Sequence, residues 1–91
     1  MNKSDLINKL AEDKNLSQEE ASFIVNSFFG LMKDALVEGR RVEIRGLGSF
    51  KIKEYPGYVG RNPKTGEKIN VPPKKLPFFK AGKELKDIIN S

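Results

Sequence analysis

The chain has no cysteine, no histidine and no tryptophan among its 91 residues. Without cysteine there is neither a disulfide framework nor a thiolate metal site, and without histidine the commonest general base and metal ligand is missing. Ser17 and Ser49 therefore have no imidazole to activate them, and the carboxylates lie on segments of helical pattern instead of converging on one point. An enzyme is not expected, nor is a bound metal or cofactor. Long apolar runs are also lacking: the N-terminal MNKSDLINKL is interrupted throughout, and no stretch approaches the roughly 20 apolar residues of a membrane span. A soluble cytoplasmic protein is the default expectation, with no membrane partner.

Positive charge is abundant and unevenly placed. Seventeen Lys and Arg outweigh twelve Asp and Glu, for a net charge of +5. Residues 1–45 are close to neutral, whereas residues 46–91 carry ten basic and only four acidic side chains. Such asymmetry points to a polyanion, either nucleic acid or an anionic surface.

The hydrophobic pattern divides the chain into an α+β order. Asn2 can cap a first helix, with Asp5 three residues on, and Leu6, Ile7, Leu10 and Ala11 make one stripe before Asp13-Lys14-Asn15 breaks it. Ser17 and Glu20 have capping-box spacing, and Ala21, Ile24, Val25, Phe28, Met32, Ala35 and Leu36 then keep a helical period until Gly39. Phe23, Phe29 and Leu31 lie off that stripe, so this second helix is apolar around more of its circumference than one thin layer covers. A second subunit is expected to cover it, because a core this small benefits from doubling.

After Gly39 the period becomes two. Val42 and Ile44 alternate with Glu43 and Arg45, and beyond Gly46-Leu47-Gly48, Phe50 and Ile52 alternate with Lys51 and Lys53. Ile69, Val71, Leu76, Phe78 and Phe79 predict a third strand, and Leu85, Ile88 and Ile89 one face of a short C-terminal helix after Gly82. The expected architecture is one domain over 1–91: a helical part over 1–39, an antiparallel three-stranded sheet over 40–81, and a closing helix over 82–91.

Within the sheet region, residues from about 54 to 75 are too poor in apolar side chains to seed a core. Asn62-Pro63-Lys64-Thr65-Gly66 carries hairpin chemistry at their centre. The second and third strands are thus expected to run past the sheet as a two-stranded arm with Pro63 near its tip. A ribbon of that width fits a DNA groove, and Arg61, Lys64, Lys68, Lys74 and Lys75 supply partners for phosphates. Proline at the tip is rigid, apolar and lacks an amide proton, so it can wedge between base pairs.

These residues bring a family into view. From MNKSDLI through RGLGSF and GRNPKTGE to FKAGKELKD, essentially over its full length, the chain resembles the HU and integration host factor family of bacterial DNA-bending proteins. GRNPKTGE is the most specific of these motifs. The resemblance implies an intertwined dimer whose two arms wrap double-stranded DNA, with Pro63 intercalating and Arg61, Asn62 and Lys64 beside it in the minor groove. It also implies phosphate contacts from the body by Lys3, Lys53, Lys80, Lys83 and Lys86. Phe28, Phe29 and Met32 of the second helix, with Leu47, Phe50 and Phe79 of the sheet, are the expected dimer interface. The implied role is compaction of the bacterial chromosome in the nucleoid and assistance to nucleoprotein assembly.

The chain departs from the family pattern at two places. Tyr55-Pro56-Gly57-Tyr58 stands where such arms usually carry basic residues, and Leu47 where phenylalanine is usual. RVEIRGLGSF is closer to integration host factor, in which the residue matching Arg45 enters the minor groove steadied by the one matching Glu43; the alternative is a solvated strand pair of little energy. An RNA-binding or ribosome-associated basic protein is the competing function. A helix-turn-helix reader fits poorly, since Gln18-Glu19-Glu20 would set carboxylates against DNA. Homodimer and pairing with a related subunit both remain open.

Overall fold

The fold is described for residues 1–91 in a computed structural model. Helix α1 (Lys3–Lys14) opens on a reciprocal cap: the Asn2 side chain accepts from the Asp5 amide at 2.9 Å, and the Asp5 carboxylate accepts from the Asn2 amide at 3.0 Å. Helix α2 (Gln18–Val37) opens on the same device, with Ser17 and Glu20 bonded both ways at 3.0 Å. It ends where Gly39, at φ 80°, lets the Arg40 amide fold back onto the Ala35 carbonyl at 2.8 Å. Sequence spacing locates all three of these boundaries.

Where three strands were expected, the chain forms five. Strands β1 (Val42–Ile44) and β2 (Gly48–Tyr55) pair antiparallel, and β2 pairs along its length with β5 (Lys74–Ala81), giving a three-stranded sheet in the order β1-β2-β5. Strands β3 (Tyr58–Arg61) and β4 (Lys68–Val71) form a separate two-stranded ribbon. The interruption lies where Pro56-Gly57 faces Pro72-Pro73, because proline donates nothing to a ladder. Residue 57 must be small there: a β-carbon would stand 2.8 Å from the Val71 carbonyl oxygen and 2.9 Å from Cδ of Pro73. Two residues are skipped on each side, so the ribbon resumes in step, with Tyr55 opposite Lys74 and Tyr58 opposite Val71. Helix α3 (Lys83–Ile89) follows Gly82, whose amide donates to the Leu47 carbonyl at 3.0 Å.

Packing within one chain is thin. Only Ala21, Val25 and Gly48 are buried, and no large side chain is fully enclosed. Helix α1 lies on α2, and α2 touches β1 and β2. On the sheet, Phe50 and Phe79 stand opposite each other with ring centroids 4.7 Å apart. Phe23, Leu31 and Val37 of α2 remain 73%, 71% and 88% exposed, although each such side chain would contribute about 1.5–3 kcal/mol if enclosed. The radius of gyration, 19.4 Å, compares with about 12 Å for a compact domain of this length. One chain lays out an apolar layer without closing it.

Candidate nucleic-acid interface

Strand alternation separates two chemistries on the sheet. Phe50 and Ile52 of β2, with Pro77 and Phe79 opposite them on β5, share one face. The other face carries Ser49, Lys51 and Lys53 of β2 opposite Lys80, Phe78 and Leu76, and then Tyr55 opposite Lys74. Glu54 belongs to the first face, where it pairs with Lys75 at 3.7 Å. The one acid of the second face, Glu43, is matched by Arg41 at 3.4 Å. Lys51, Lys53, Lys74 and Lys80 are therefore left as an unneutralised cationic surface. The Phe78 ring steadies two of them, with Nζ of Lys53 4.1 Å and Nζ of Lys51 5.9 Å from its centroid.

The ribbon continues this charge outward. Arg61 stands opposite Lys68 in register, and neither is in an ion pair. Beyond them the tip is a hydrogen-bonded loop. The Asn62 amide donates to the Glu67 carbonyl at 2.9 Å, and the Gly66 amide, on a residue at φ 71°, donates to the Asn62 carbonyl at 2.7 Å. Asn62 Oδ1 accepts from the Lys64 amide at 2.9 Å, and Thr65 Oγ1 accepts from the Glu67 amide at 3.3 Å. Pro63 is left exposed at the apex, held by a frame that uses the polar groups on either side of it.

The remaining candidates distribute over the body. Lys3 projects from the start of α1, where its Nζ donates to Asn26 Oδ1 at 2.9 Å. Lys83 and Lys86 lie on α3, interleaved with Glu84 and Asp87. Together with Arg45, Lys80, Lys83 and Lys86 line an open cleft between the β1–β2 turn and α3. Two placements differ from expectation. Arg45 lies in the turn after β1, not on the strand, and Glu43 is joined to Arg41 instead of to Arg45; Arg41 also reaches Ser49 Oγ at 3.4 Å. Asn62 likewise spends its side-chain oxygen on the tip loop, which makes it a shaper of the tip.

The apolar candidates gather on the opposite side. Phe28 and Phe29 meet edge to face at 5.3 Å and are 47% and 36% exposed, while Leu47 and Phe79 are 39% and 40% exposed. Phe29, Met32, Leu36, Phe50 and Pro77 line one open apolar cleft between α2 and the sheet. Residue spacing alone does not distinguish Arg41, whereas the period-two pattern that marks Lys53 marks Lys51 equally.

Comparison with known proteins identifies the family of the chain. The family model described as bacterial DNA-binding protein matches residues 1–90. DNA-binding protein HU-1 of Halalkalibacterium halodurans is 49% identical over 90 residues, 99% of this chain and 100% of the relative. Integration host factor subunit beta of Nitrosomonas eutropha is 48% identical over 92 residues, 100% of this chain and 88% of the relative. Among solved structures, an Anabaena HU–DNA cocrystal structure superposes with a TM-score of 0.84 at 32% identity, covering 98% of this chain and 97% of the other. The chain belongs to the bacterial DNA-binding protein family.

Proposed function

We infer that the protein is an architectural DNA-binding protein that binds and bends double-stranded DNA through the minor groove. The observation that carries this reading is the exposed Pro63 at the apex of a ribbon whose paired cations, Arg61 and Lys68, have no partner in the chain. Two like charges held opposite each other are unfavourable in the free arm and become favourable when each meets a phosphate. Between them a rigid apolar residue is presented to the base stack. Wedging of that kind, general to HU-type minor-groove binders, unstacks a step at a cost of a few kcal/mol and recovers it by wrapping more protein surface.

The body completes the path. Lys51, Lys53, Lys74 and Lys80 supply a cationic face onto which a bent duplex can fold, and Lys83 and Lys86 of α3 extend it past Lys80; Lys75, beside Glu54, and Lys3, beside the apolar cleft, lie off that face and would meet the duplex only at its flanks. No helix is long and apolar enough to cross a membrane, and no group of acids is arranged to hold a metal ion. The functional unit is a dimer, supported by the uncovered aromatic face of α2 and the sheet. It pairs either with a second copy or with a related subunit, and two arms then grip one duplex. The setting is the bacterial cytoplasm, at the nucleoid, where such a protein compacts the chromosome and assists assembly of nucleoprotein complexes.

Gel-shift titrations with linear, nicked and cruciform duplexes test the reading, with RNA of matched sequence as competitor. Preference for distorted DNA regardless of sequence indicates general architectural binding, and preference for one linear site indicates a selective role for Arg45. RNA competing as well as DNA would instead favour an RNA-binding or ribosome-associated protein.

A further inference from the structure

Arg45 is not steadied by the acid nearest to it in sequence. Glu43 is taken by Arg41 at 3.4 Å, and that guanidinium also reaches Ser49 Oγ. A carboxylate from another element stands beside the turn instead. Apart from its chain neighbours, the three atoms nearest to where a β-carbon on Gly46 would stand all belong to Glu84: Oε2 at 3.5 Å, Cδ at 3.8 Å and Oε1 at 3.9 Å. The carboxylate thus lies flat on the residue next to Arg45, and both side chains line the same open cleft. Two backbone bonds fix that placement. The Leu47 amide donates to the Ile44 carbonyl at 3.1 Å and closes the turn, while the Gly82 amide donates to the Leu47 carbonyl at 3.0 Å and seats the start of α3 upon it. Along its own helix Glu84 has no facing cation, since the residues three and four positions on are Asp87 and Ile88. It forms no ion pair in the free chain, and neither does Arg45.

We propose that Glu84 is the positioning residue for Arg45: it holds the guanidinium on the β1–β2 turn when DNA binds and keeps it from pairing with a phosphate. The phosphate contacts of the cleft are thereby left to Lys80, Lys83 and Lys86. The proposal rests on the reading of the protein as a binder of duplex DNA. An acid on such a surface repels the polyanion that the three lysines attract, and the repulsion is offset when the acid pairs with a cation. An arginine at the edge of the cleft otherwise meets the nearest phosphate, where it adds affinity without reading sequence. The Glu84 carboxylate competes with that phosphate for the same planar fork of donors. Approach of the duplex displaces water from the cleft, which strengthens the attraction between the two side chains, so the pair closes on binding. A bidentate carboxylate uses two of the five guanidinium donors, and the other three face the duplex in an orientation that the turn fixes.

The test is the affinity of the full protein for one linear DNA duplex across a range of salt, for the wild type, Arg45→Ala, Glu84→Gln, Glu84→Asp and the double variant Glu84→Gln/Arg45→Ala. Because Arg45 adds no counterion release in the wild type, Arg45→Ala should leave the slope of log affinity against log salt unchanged. Glu84→Gln frees the guanidinium to meet a phosphate and should steepen the slope by about 0.9. Adding Arg45→Ala to it should return the slope to the wild-type value. Glu84→Asp keeps a carboxylate beside the turn and should keep the wild-type slope. Unchanged melting curves for all variants report an intact body. The proposal is overturned if Arg45→Ala alone flattens the slope, if Glu84→Gln leaves the slope as it was, or if Glu84→Gln steepens it equally in the chain lacking Arg45. A wild type that fails to bind DNA at all would instead remove the DNA-binding reading itself.

Discussion

Arg61 faces Lys68 directly across the distal ribbon, and no carboxylate in the chain pairs with either. Opposed like charges destabilise a strand pair by a few tenths of a kcal/mol to about 1 kcal/mol, so the arm holds a local conflict that a polyanion resolves. Each cation meeting a phosphate should contribute about 0.9 to the slope of log affinity against log salt. Arg61→Ala and Lys68→Ala are each expected to lower the slope by that amount. The double variant should lose less affinity than the sum of the two, because the repulsion relieved on binding is counted in both single variants. Strict additivity, or a flat salt dependence in the wild type, would contradict this account.

A second prediction concerns the subunit. With Phe28 47% and Phe29 36% exposed beside a cleft that ends on Phe50, one chain leaves its aromatic layer in water. Phe28→Asp is expected to abolish folding and dimerisation together, since a carboxylate enclosed in that layer has no partner. Melting temperature should also rise with protein concentration, as required when only the assembled state is folded. Sedimentation equilibrium and circular dichroism provide the measurements; a folded wild-type monomer would refute the prediction.

Much of this arrangement is legible in residue spacing, for identifiable reasons. The helix starts at Asn2 and Ser17 depend on side-chain groups three residues apart, so local sequence suffices to place them. The arm is legible because a long segment poor in apolar residues brackets Asn62-Pro63-Lys64-Thr65-Gly66, whose turn chemistry is also local. The break at Pro56-Gly57 against Pro72-Pro73 is less so, because it depends on two proline-containing segments meeting across the ribbon, a matter of register. The same holds for Glu43. Alternation gives it Arg41 and Arg45 equally as neighbours, and only the turn after Ile44 carries Arg45 away.

Acid should weaken the folded state through a group far from the DNA face. The amide of Ser17, and then its hydroxyl, hold the Glu20 carboxyl below its ordinary range. A carboxyl whose pKa is lower folded than unfolded contributes stability above its unfolded pKa and loses it as pH falls through the folded value. Glu20→Gln keeps a capping side chain without the ionisation. Urea melts from about pH 7 down to pH 3 should therefore show a smaller acid-side loss for the variant than for the wild type. With no histidine in the chain, both proteins should be level between about pH 5.5 and 7. Parallel acid limbs would show that the cap does not titrate in this way.

Pro63 separates bending from coating. The cations of the arm and sheet bind a straight duplex through charge alone, and nothing in that attraction requires a base step to open. An apolar wedge at the apex offsets the few kcal/mol lost on unstacking. The loop that presents it is framed by bonds from Asn62, Thr65 and Gly66, none of which uses the proline ring. Pro63→Ala thus keeps the frame and the charge while removing the wedge. Affinity is expected to fall only modestly and the salt slope to stay unchanged, while the induced bend falls substantially. Energy transfer between dyes at the two ends of a short duplex, measured at saturating protein so that affinity drops out, reads the bend directly. An end-to-end distance equal to that of the wild-type complex would make Pro63 a turn residue only, and would transfer the whole of the bending to the cationic face of Lys51, Lys53, Lys74 and Lys80.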